Sequence, residues 1–202
     1  MVHISRRSQR FRMAPTALVI VGLAAFMLPS IVAAASYEID GIHSTLIFRA
    51  KRMGTVYVYG RFNDVSGSID IPGDDLGSGK VMIEVKTASV DSGNERRDNH
   101  LRSPDFLNAT ELPLMTFEST KVTKTGADTL DVLGKLSLHG VTKEVTIPME
   151  RVGSGKDPRS GASLIGFDGS FSLKRSDFSM AFMQGPIGDQ IDIRIAIHGV
   201  AK

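Results

Sequence analysis

Apolar and polar residues alternate along most of the chain after residue 36, at the period of two expected for β-strands. Residues 191–197 show the pattern most clearly, because isoleucine occupies every odd position and none of the even ones. Eight such segments occur, at residues 46–50, 58–71, 81–85, 115–117, 130–138, 145–149, 165–173 and 191–197. Since each is apolar on one side only, they predict an antiparallel sheet with one face toward solvent.

The second of these segments changes phase part of the way along. Its apolar residues fall at even positions up to Phe62 and at odd positions from Val65 onward. Without an extra residue, this change would turn the second half of the strand inside out. The sequence therefore predicts a β-bulge or a bend at Asn63 and Asp64.

Helical signals are confined to residues 91–113. Ser92 and Glu95 have the spacing of a capping box, and Ser103 precedes Pro104. Helices this short and polar cannot cover the apolar face of eight strands, so the sheet must bury that face against itself. A closed barrel and a two-layer sandwich both achieve this. The predicted fold class is all-β, with short helices in one loop region.

The first 35 residues differ from the rest of the chain. They carry four arginines and no acidic residue, an apolar run at residues 14–28, and alanines at 33–35. This pattern is typical of a secretory signal peptide, here with cleavage after Ala35. A membrane-spanning helix needs ~20 apolar residues, and Pro15 and Pro29 bracket fewer than that.

We therefore expect residues 1–35 to be a cleaved signal peptide and residues 36–202 to form one exported domain with no integral membrane span. The export route is left open. The mature chain contains 20 basic and 22 acidic side chains and no cysteine. This balance disfavours nucleic-acid binding, which needs clustered Lys and Arg on the folded domain. The lack of cysteine excludes a disulfide framework and thiolate chemistry.

The inward face of the predicted sheet consists mainly of Ile, Val, Leu and Phe, with glycines at positions 60, 134 and 169. In a barrel of about eight strands, such a face either packs against itself or encloses one small ligand. The residues alone leave both alternatives open. If space remains inside, a hydrocarbon chain is the favoured guest, because each buried CH₂ gains ~0.8 kcal/mol whereas an unpartnered polar group costs several.

Charged residues crowd the segment 91–105, which includes His100 between Asp98 and Asp105. At a barrel mouth they could bind a polar head group, whereas on a short helix they would form mutual ion pairs and caps. His100 with Asp98 and Asp105 matches none of the usual ligand spacings, so no metal site and no cofactor are predicted.

A second histidine, His43, follows Asp40 near the start of the first strand. It is either a general base or a hydrogen-bonding partner of a neighbouring loop. No nucleophile motif accompanies it, so the sequence favours a protein that is not an enzyme.

Several motifs occur in an order that resembles the YceI-like family of exported proteins. They are DGIHSTLIF at residues 40–48, GRF at 60–62 with Gly67, SVD at 89–91, RDNHLRSPDFL at 97–107, PLMTFES at 113–119, GKLSLHGVT at 134–142 and RSDF at 175–178. Together they extend over nearly the whole mature chain and are far more specific than any single motif. Members of that family are similar to lipocalins. The resemblance thus implies an eight-stranded antiparallel barrel whose apolar interior binds a long-chain isoprenoid or related lipid.

The resulting prediction is an exported, periplasmic protein that sequesters or carries a polyisoprenoid, or a similar amphiphile, without catalysis. The residues expected to contact the tail are Phe48, Phe62, Ile83, Phe117, Leu136, Ile147, Phe167, Phe171 and Ile193. Those expected at the mouth are His43, His100 and Asp105.

Two alternatives stay open. One is an enzyme that acts on a lipid or its head group through His43 and His100, and the other is a packed barrel that binds a partner. The head group, the chain length, the donor and acceptor partners and the oligomeric state, with a homodimer as one option, are likewise left open.

Overall fold

The computed structural model describes residues 34–73 and 75–202. The signal peptide predicted at residues 1–35 therefore lies almost entirely outside the described residues. Among the described helices, none is both long and apolar enough to cross a membrane. The strands are β1 (Ala34–Ile39), β2 (Thr45–Arg52), β3 (Val56–Phe62), β4 (Val65–Pro72), β5 (Lys80–Lys86), β6 (Val90–Asp91), β7 (Leu114–Lys124), β8 (Thr129–Leu138), β9 (Val141–Lys156), β10 (Ser163–Lys174) and β11 (Ile187–Ala201). The helix α1 spans Glu95–Arg102, and short 3-10 turns span Leu76–Ser78, Thr87–Ser89 and Arg175–Phe178.

These strands form one antiparallel sheet that closes on itself. Its hydrogen-bonded order is β1-β4-β5-β7-β8-β9-β10-β11-β2-β3-β6, with a further pairing between β1 and β11. Residues 187–196 of β11 pair with β2, and residues 199–201 pair with β1. β1 and β2 are thus two halves of one barrel strand. In the same way, β3 and β4 form one barrel strand, and β5 and β6 form another. The described residues therefore form an eight-stranded barrel, and the all-β antiparallel fold predicted from the sequence is confirmed.

The predicted bend at Asn63 and Asp64 separates β3 from β4. The Asn63 N–H donates to the Ser89 carbonyl at 3.1 Å, and the Lys86 N–H donates to the Asp64 carbonyl at 3.1 Å. The bend therefore lies beside the 3-10 turn that separates β5 from β6, so both barrel strands change direction together. Phe62 and Val65 are consequently both buried, although they have opposite parity.

Helix α1 lies within the region predicted to be helical, but its cap differs from the prediction. The N-cap is Asn94, whose side chain accepts a hydrogen bond from the Arg97 N–H at 3.0 Å. Ser92 instead donates its hydroxyl to Asp98 and accepts from Arg97 Nε at 2.7 Å. The capping-box spacing of Ser92 and Glu95 is therefore not used as such.

The segment after α1 forms turns rather than the second helix predicted from Ser103 and Pro104. The Leu107 N–H donates to the Leu101 carbonyl, and the Asn108 N–H donates to the Ser103 carbonyl. Asn108 also has a φ of 47°, in the left-handed region. The chain therefore folds back onto the end of α1 and cannot continue as a helix.

Three segments meet at one end of the barrel, which we call the mouth. They are the turn at residues 53–55 between β2 and β3, helix α1, and the loop at residues 175–186 between β10 and β11. The Met53 N–H donates to the Pro186 carbonyl at 2.7 Å, which ties the turn to the loop. The rings of His100 and Phe182 lie 5.3 Å apart, which brings α1 against the same loop.

The buried side chain of Arg175 holds the loop between β10 and β11 in place by hydrogen bonds. It is only 3 % exposed, and its guanidinium donates to the carbonyls of Met180 at 2.7 Å, Phe182 at 2.8 Å, Ile187 at 3.1 Å and Gly188 at 3.1 Å. Burial lowers the pKa of Arg175, but an arginine remains protonated in proteins. One buried cation therefore satisfies four backbone acceptors that border the mouth.

Replacement of Arg175 by methionine removes these four hydrogen bonds while it keeps an extended side chain. We expect the free energy of unfolding to fall by about 2–4 kcal/mol, because buried carbonyls lose their partners. Urea denaturation measures this change. Arg194→Met is the matched control, since Arg194 has a side chain that is 71 % exposed and contacts Asp168 at 3.3 Å, and it should change the stability by less than about 0.5 kcal/mol. Equal losses in the two variants would contradict the role assigned to Arg175.

Candidate functional site

The barrel encloses a cavity of about 890 Å³, a volume within the usual range of small-molecule sites. Of the nine residues predicted to contact a lipid tail, those that line it are Phe48, Phe62, Ile83, Phe117, Leu136, Ile147, Phe171 and Ile193. The ninth, Phe167, lines a smaller cavity of about 60 Å³ that also borders Phe117 and Ile147. The barrel interior is therefore not filled by its own side chains.

Two glycines allow aromatic rings to lie against the barrel wall. Phe48 of β2 is directly opposite Gly60 of β3, and the ring of Phe117 reaches Gly134 of β8. A Cβ atom at either glycine would overlap the far edge of the ring. Each ring therefore occupies space over the backbone of the neighbouring strand, and less of it projects into the lumen.

Polar side chains join the lining at the mouth. Lys51 and Arg52 come from the end of β2, and Arg96, Arg97 and His100 come from α1. Among the described residues, no Asp or Glu lines this cavity. The mouth therefore carries an excess of positive charge, whereas the deeper walls are almost entirely apolar. Such a site favours an amphiphile with a hydrocarbon tail and an anionic or acceptor-rich head group.

His100 lies among the cavity-lining residues, and Asp105 contacts it from outside the lining. His100 Nε2 is 2.8 Å from Asp105 Oδ2. The His100 ring meets Phe106 and Phe182 edge-on, with centroids 5.0 Å and 5.3 Å away. The three rings join α1 and the turns after it to the loop between β10 and β11. Two of the residues expected at the mouth, His100 and Asp105, are thus found together.

His43 lies elsewhere, in the loop between β1 and β2, in contrast to the expectation that it stands at the mouth. The loop turns around Asp40, whose Oδ1 accepts the N–H groups of Ile42 at 2.9 Å and His43 at 3.4 Å. This turn leaves the His43 side chain 69 % exposed, with its ring edge-on to His198 at 5.7 Å. His43 does not line the cavity.

Lys51 and Arg52 of the mouth were not predicted as site residues. Arg96 and Arg97 belong to the charged segment 91–105, but only His100 and Asp105 of that segment were named for the mouth. Exposed lysines and arginines occur at the ends of many strands and helices, so they give no periodic signal. The pair Lys51 and Arg52 directly before a glycine-containing turn was the available clue, because it places both charges at a strand end.

Comparisons with known proteins agree with this architecture. Residues 37–199 match the family profile of the YceI-like domain. A UPF0312 protein of Azotobacter vinelandii is 44% identical over 171 residues, which cover 84% of this chain and 88% of the relative.

Two solved structures show the same fold. The crystal structure of a Campylobacter jejuni YceI protein matches with a TM-score of 0.66 and 33% identity, over 72% of this chain and 85% of that one. A Saccharophagus degradans domain described as polyisoprenoid binding matches with a TM-score of 0.65 and 18% identity, over 83% of this chain and 99% of that one. The motifs, the closed eight-stranded barrel and the match over residues 37–199 lead to one conclusion: the chain belongs to the YceI-like family.

Proposed function

We propose that this protein binds a long-chain isoprenoid, or a similar amphiphile, with the tail inside the barrel and the head group at the mouth. The observation that carries the proposal is a cavity of about 890 Å³ whose lining is apolar except at one end. The description of the Saccharophagus domain, which has the same fold, supports an isoprenoid as the ligand class.

Burial of the tail supplies the free energy of binding. Each CH₂ removed from water gains ~0.8 kcal/mol, so a tail of ~20 carbons gains on the order of 16 kcal/mol before opposing terms. The loss of translational freedom and the ordering of the tail offset a large part of this. The cavity-lining residues of β11 run from Ile187 to Ile197, which corresponds to about 25 Å along the barrel axis at the usual strand rise and tilt. The lumen is therefore long enough for an extended chain.

The mouth selects for the head group. Arg97 is fixed in place because it donates to the Ser92 hydroxyl at 2.7 Å and to the Ser92 carbonyl at 2.6 Å. Lys51, Arg52 and Arg96 surround the same opening. We infer that the bound amphiphile presents phosphate, carboxylate or carbonyl oxygens to these cations, since nothing in the lining of the mouth repels them.

The family and the fold relatives point to a binding protein rather than an enzyme. The catalytic alternative required His43 and His100 to act on one substrate. His100 lines the cavity, whereas His43 contacts Asp40 and His198 outside the lining. We therefore propose carriage or storage of the lipid without turnover.

We also propose that the protein works in the periplasm. The support is the charge, apolar run and alanine pattern of residues 1–35. A lipid that crosses an aqueous compartment needs its tail shielded from water, and a closed apolar barrel provides that shield.

Native mass spectrometry of the mature protein, purified from its own export compartment, tests the proposal directly. We expect a stoichiometric adduct that organic extraction releases and identifies as a prenyl or related lipid. A bare protein mass that does not shift after incubation with prenyl lipids would instead favour a barrel used to bind a partner.

Phe117→Asp should abolish lipid retention, because Phe117 lines the middle of the cavity. A bound hydrocarbon tail would strip water from the new carboxylate without offering it a partner, which is energetically costly. Circular dichroism should still show a folded sheet. Leu114→Asp is the matched control on the same strand, since Leu114 is 44% exposed and pairs with Lys86 of the neighbouring strand β5. Retention of lipid by folded Phe117→Asp would overturn the inward assignment.

Gly60→Ala should shorten the usable lumen without a change in polarity. The new methyl group displaces the Phe48 ring from the wall, and we expect about a tenfold loss of affinity for long prenyl chains, or about 1.4 kcal/mol. Short chains should lose less. Gly153→Ala is the control, because nothing lies within 4 Å of a Cβ at that position. Titration with prenyl lipids of different length distinguishes the two, and equal affinities in both variants would contradict the proposed geometry.

A further inference from the structure

A cluster of two imidazoles and one carboxylate lies on the outer wall of the barrel. It consists of Asp40 at the end of β1, His43 in the following loop, and His198 near the end of β11. One ligand atom from each of the three lies within 4.8 Å of the other two. None of the three lines the cavity.

The backbone holds this cluster in place where the barrel closes. The Asp40 N–H donates to the His198 carbonyl at 2.8 Å, and the Ser44 N–H donates to the Asp40 carbonyl at 2.9 Å. The His198 N–H donates to the hydroxyl of Ser44, which is 3 % exposed, at 3.0 Å. The loop between β1 and β2 is therefore fixed against β11 from both sides.

The two oxygens of Asp40 have different surroundings. Oδ1 accepts the N–H groups of Ile42 and His43, whereas Oδ2 lies 2.6 Å from His43 Nδ1 and 3.5 Å from His198 Nδ1. Oδ2 is thus directed at both imidazoles.

His198 Nδ1 is buried and has no hydrogen-bond partner among the described residues. Buried polar atoms of folded proteins almost always have a partner, and each exception needs an explanation. This nitrogen points toward a carboxylate oxygen at a distance that is too long for a good hydrogen bond. A cation between the two atoms would satisfy both.

The spacing suits a first-row transition metal ion. Zn²⁺ holds imidazole nitrogens and carboxylate oxygens at about 2.0–2.2 Å, which places the ligand atoms of a tetrahedral site roughly 3.3 Å apart. The present separations of 2.6 Å and 3.5 Å lie on either side of that value. The His43 side chain is 69% exposed, so few protein atoms oppose a small outward rotation of its ring.

We propose that Asp40, His43 and His198 bind a divalent transition metal ion of the Zn²⁺ class, with one coordination position left to water or an external ligand. The ion links the loop between β1 and β2 to β11 and so stabilises the closed barrel. The ligands lie near opposite ends of the chain, which is why local spacing in the sequence did not indicate a site. The inference does not depend on lipid binding.

Zinc chloride is the probe, added to untagged mature protein that has first been treated with a chelator. Isothermal titration should show one Zn²⁺ per chain, and excess Zn²⁺ should raise the melting temperature, because a ligand that binds only the folded state stabilises it. Co²⁺ should give the visible absorption bands of a site with nitrogen and oxygen ligands.

His43→Gln and His198→Gln should each weaken Zn²⁺ binding at least tenfold and abolish the shift in melting temperature. His43 is exposed, so its replacement leaves the fold intact even if the His198 variant is less stable. His100→Gln is the matched control and should bind Zn²⁺ as the native chain does, since His100 lies at the mouth. No saturable binding to the native chain, or unchanged binding in both cluster variants, would overturn the proposal. Titration of delipidated protein with Zn²⁺ should give the same affinity, because the proposed metal site does not depend on a bound lipid.

Discussion

Backbone pairing between β11 and the N-terminal strands β1 and β2 closes the sheet, and the cavity exists only because of that closure. The chain has one short helix among its described residues, so no helical layer covers the apolar face of the sheet. The face is buried only if the last strand reaches the first. β11 does so over residues 187–201, by pairing with β2 over most of its length and with β1 at its end. Closure also removes the exposed edges that an open sheet would present.

Closure alone does not produce an open lumen, because a barrel of this size is just wide enough for its own side chains to fill. The glycines at 60 and 134 shift part of the aromatic volume toward the wall. The polar groups are segregated at one end, where Arg175 satisfies the carbonyls of the loop and the cations of β2 and α1 face the opening. The result is a cavity whose deep part repels polar groups and whose mouth attracts them.

Alternation of apolar residues predicted the strands other than β1 and the short β6, the bend at Asn63 and Asp64, and the residues that face inward. It succeeds because the period of two assigns every second residue to one face, whatever the rest of the chain does. It says nothing about which inward residues border open space, so Phe167 was grouped with residues of the larger cavity although it lines only the smaller one. Loops have no such period. The turn around Asp40 carries His43 away from the cavity through the hydrogen bond from the Ile42 N–H to Asp40 Oδ1. The turns after Ser103 likewise depend on particular backbone hydrogen bonds within the loop, which alternation does not indicate.

The pleat of β11 connects the inner and outer surfaces of the barrel. Ile197 is 5% exposed and lines both cavities, whereas its neighbour His198 belongs to the cluster on the outside. Since adjacent residues of a strand point in opposite directions, a restraint on His198 fixes the backbone that positions Ile197 without entering the lumen. The sheet closes at this same segment, where His198 faces the loop between β1 and β2. An ion bound to the cluster would thus act on the closure of the barrel rather than on its contents, and the lumen would stay sterically free for a lipid tail.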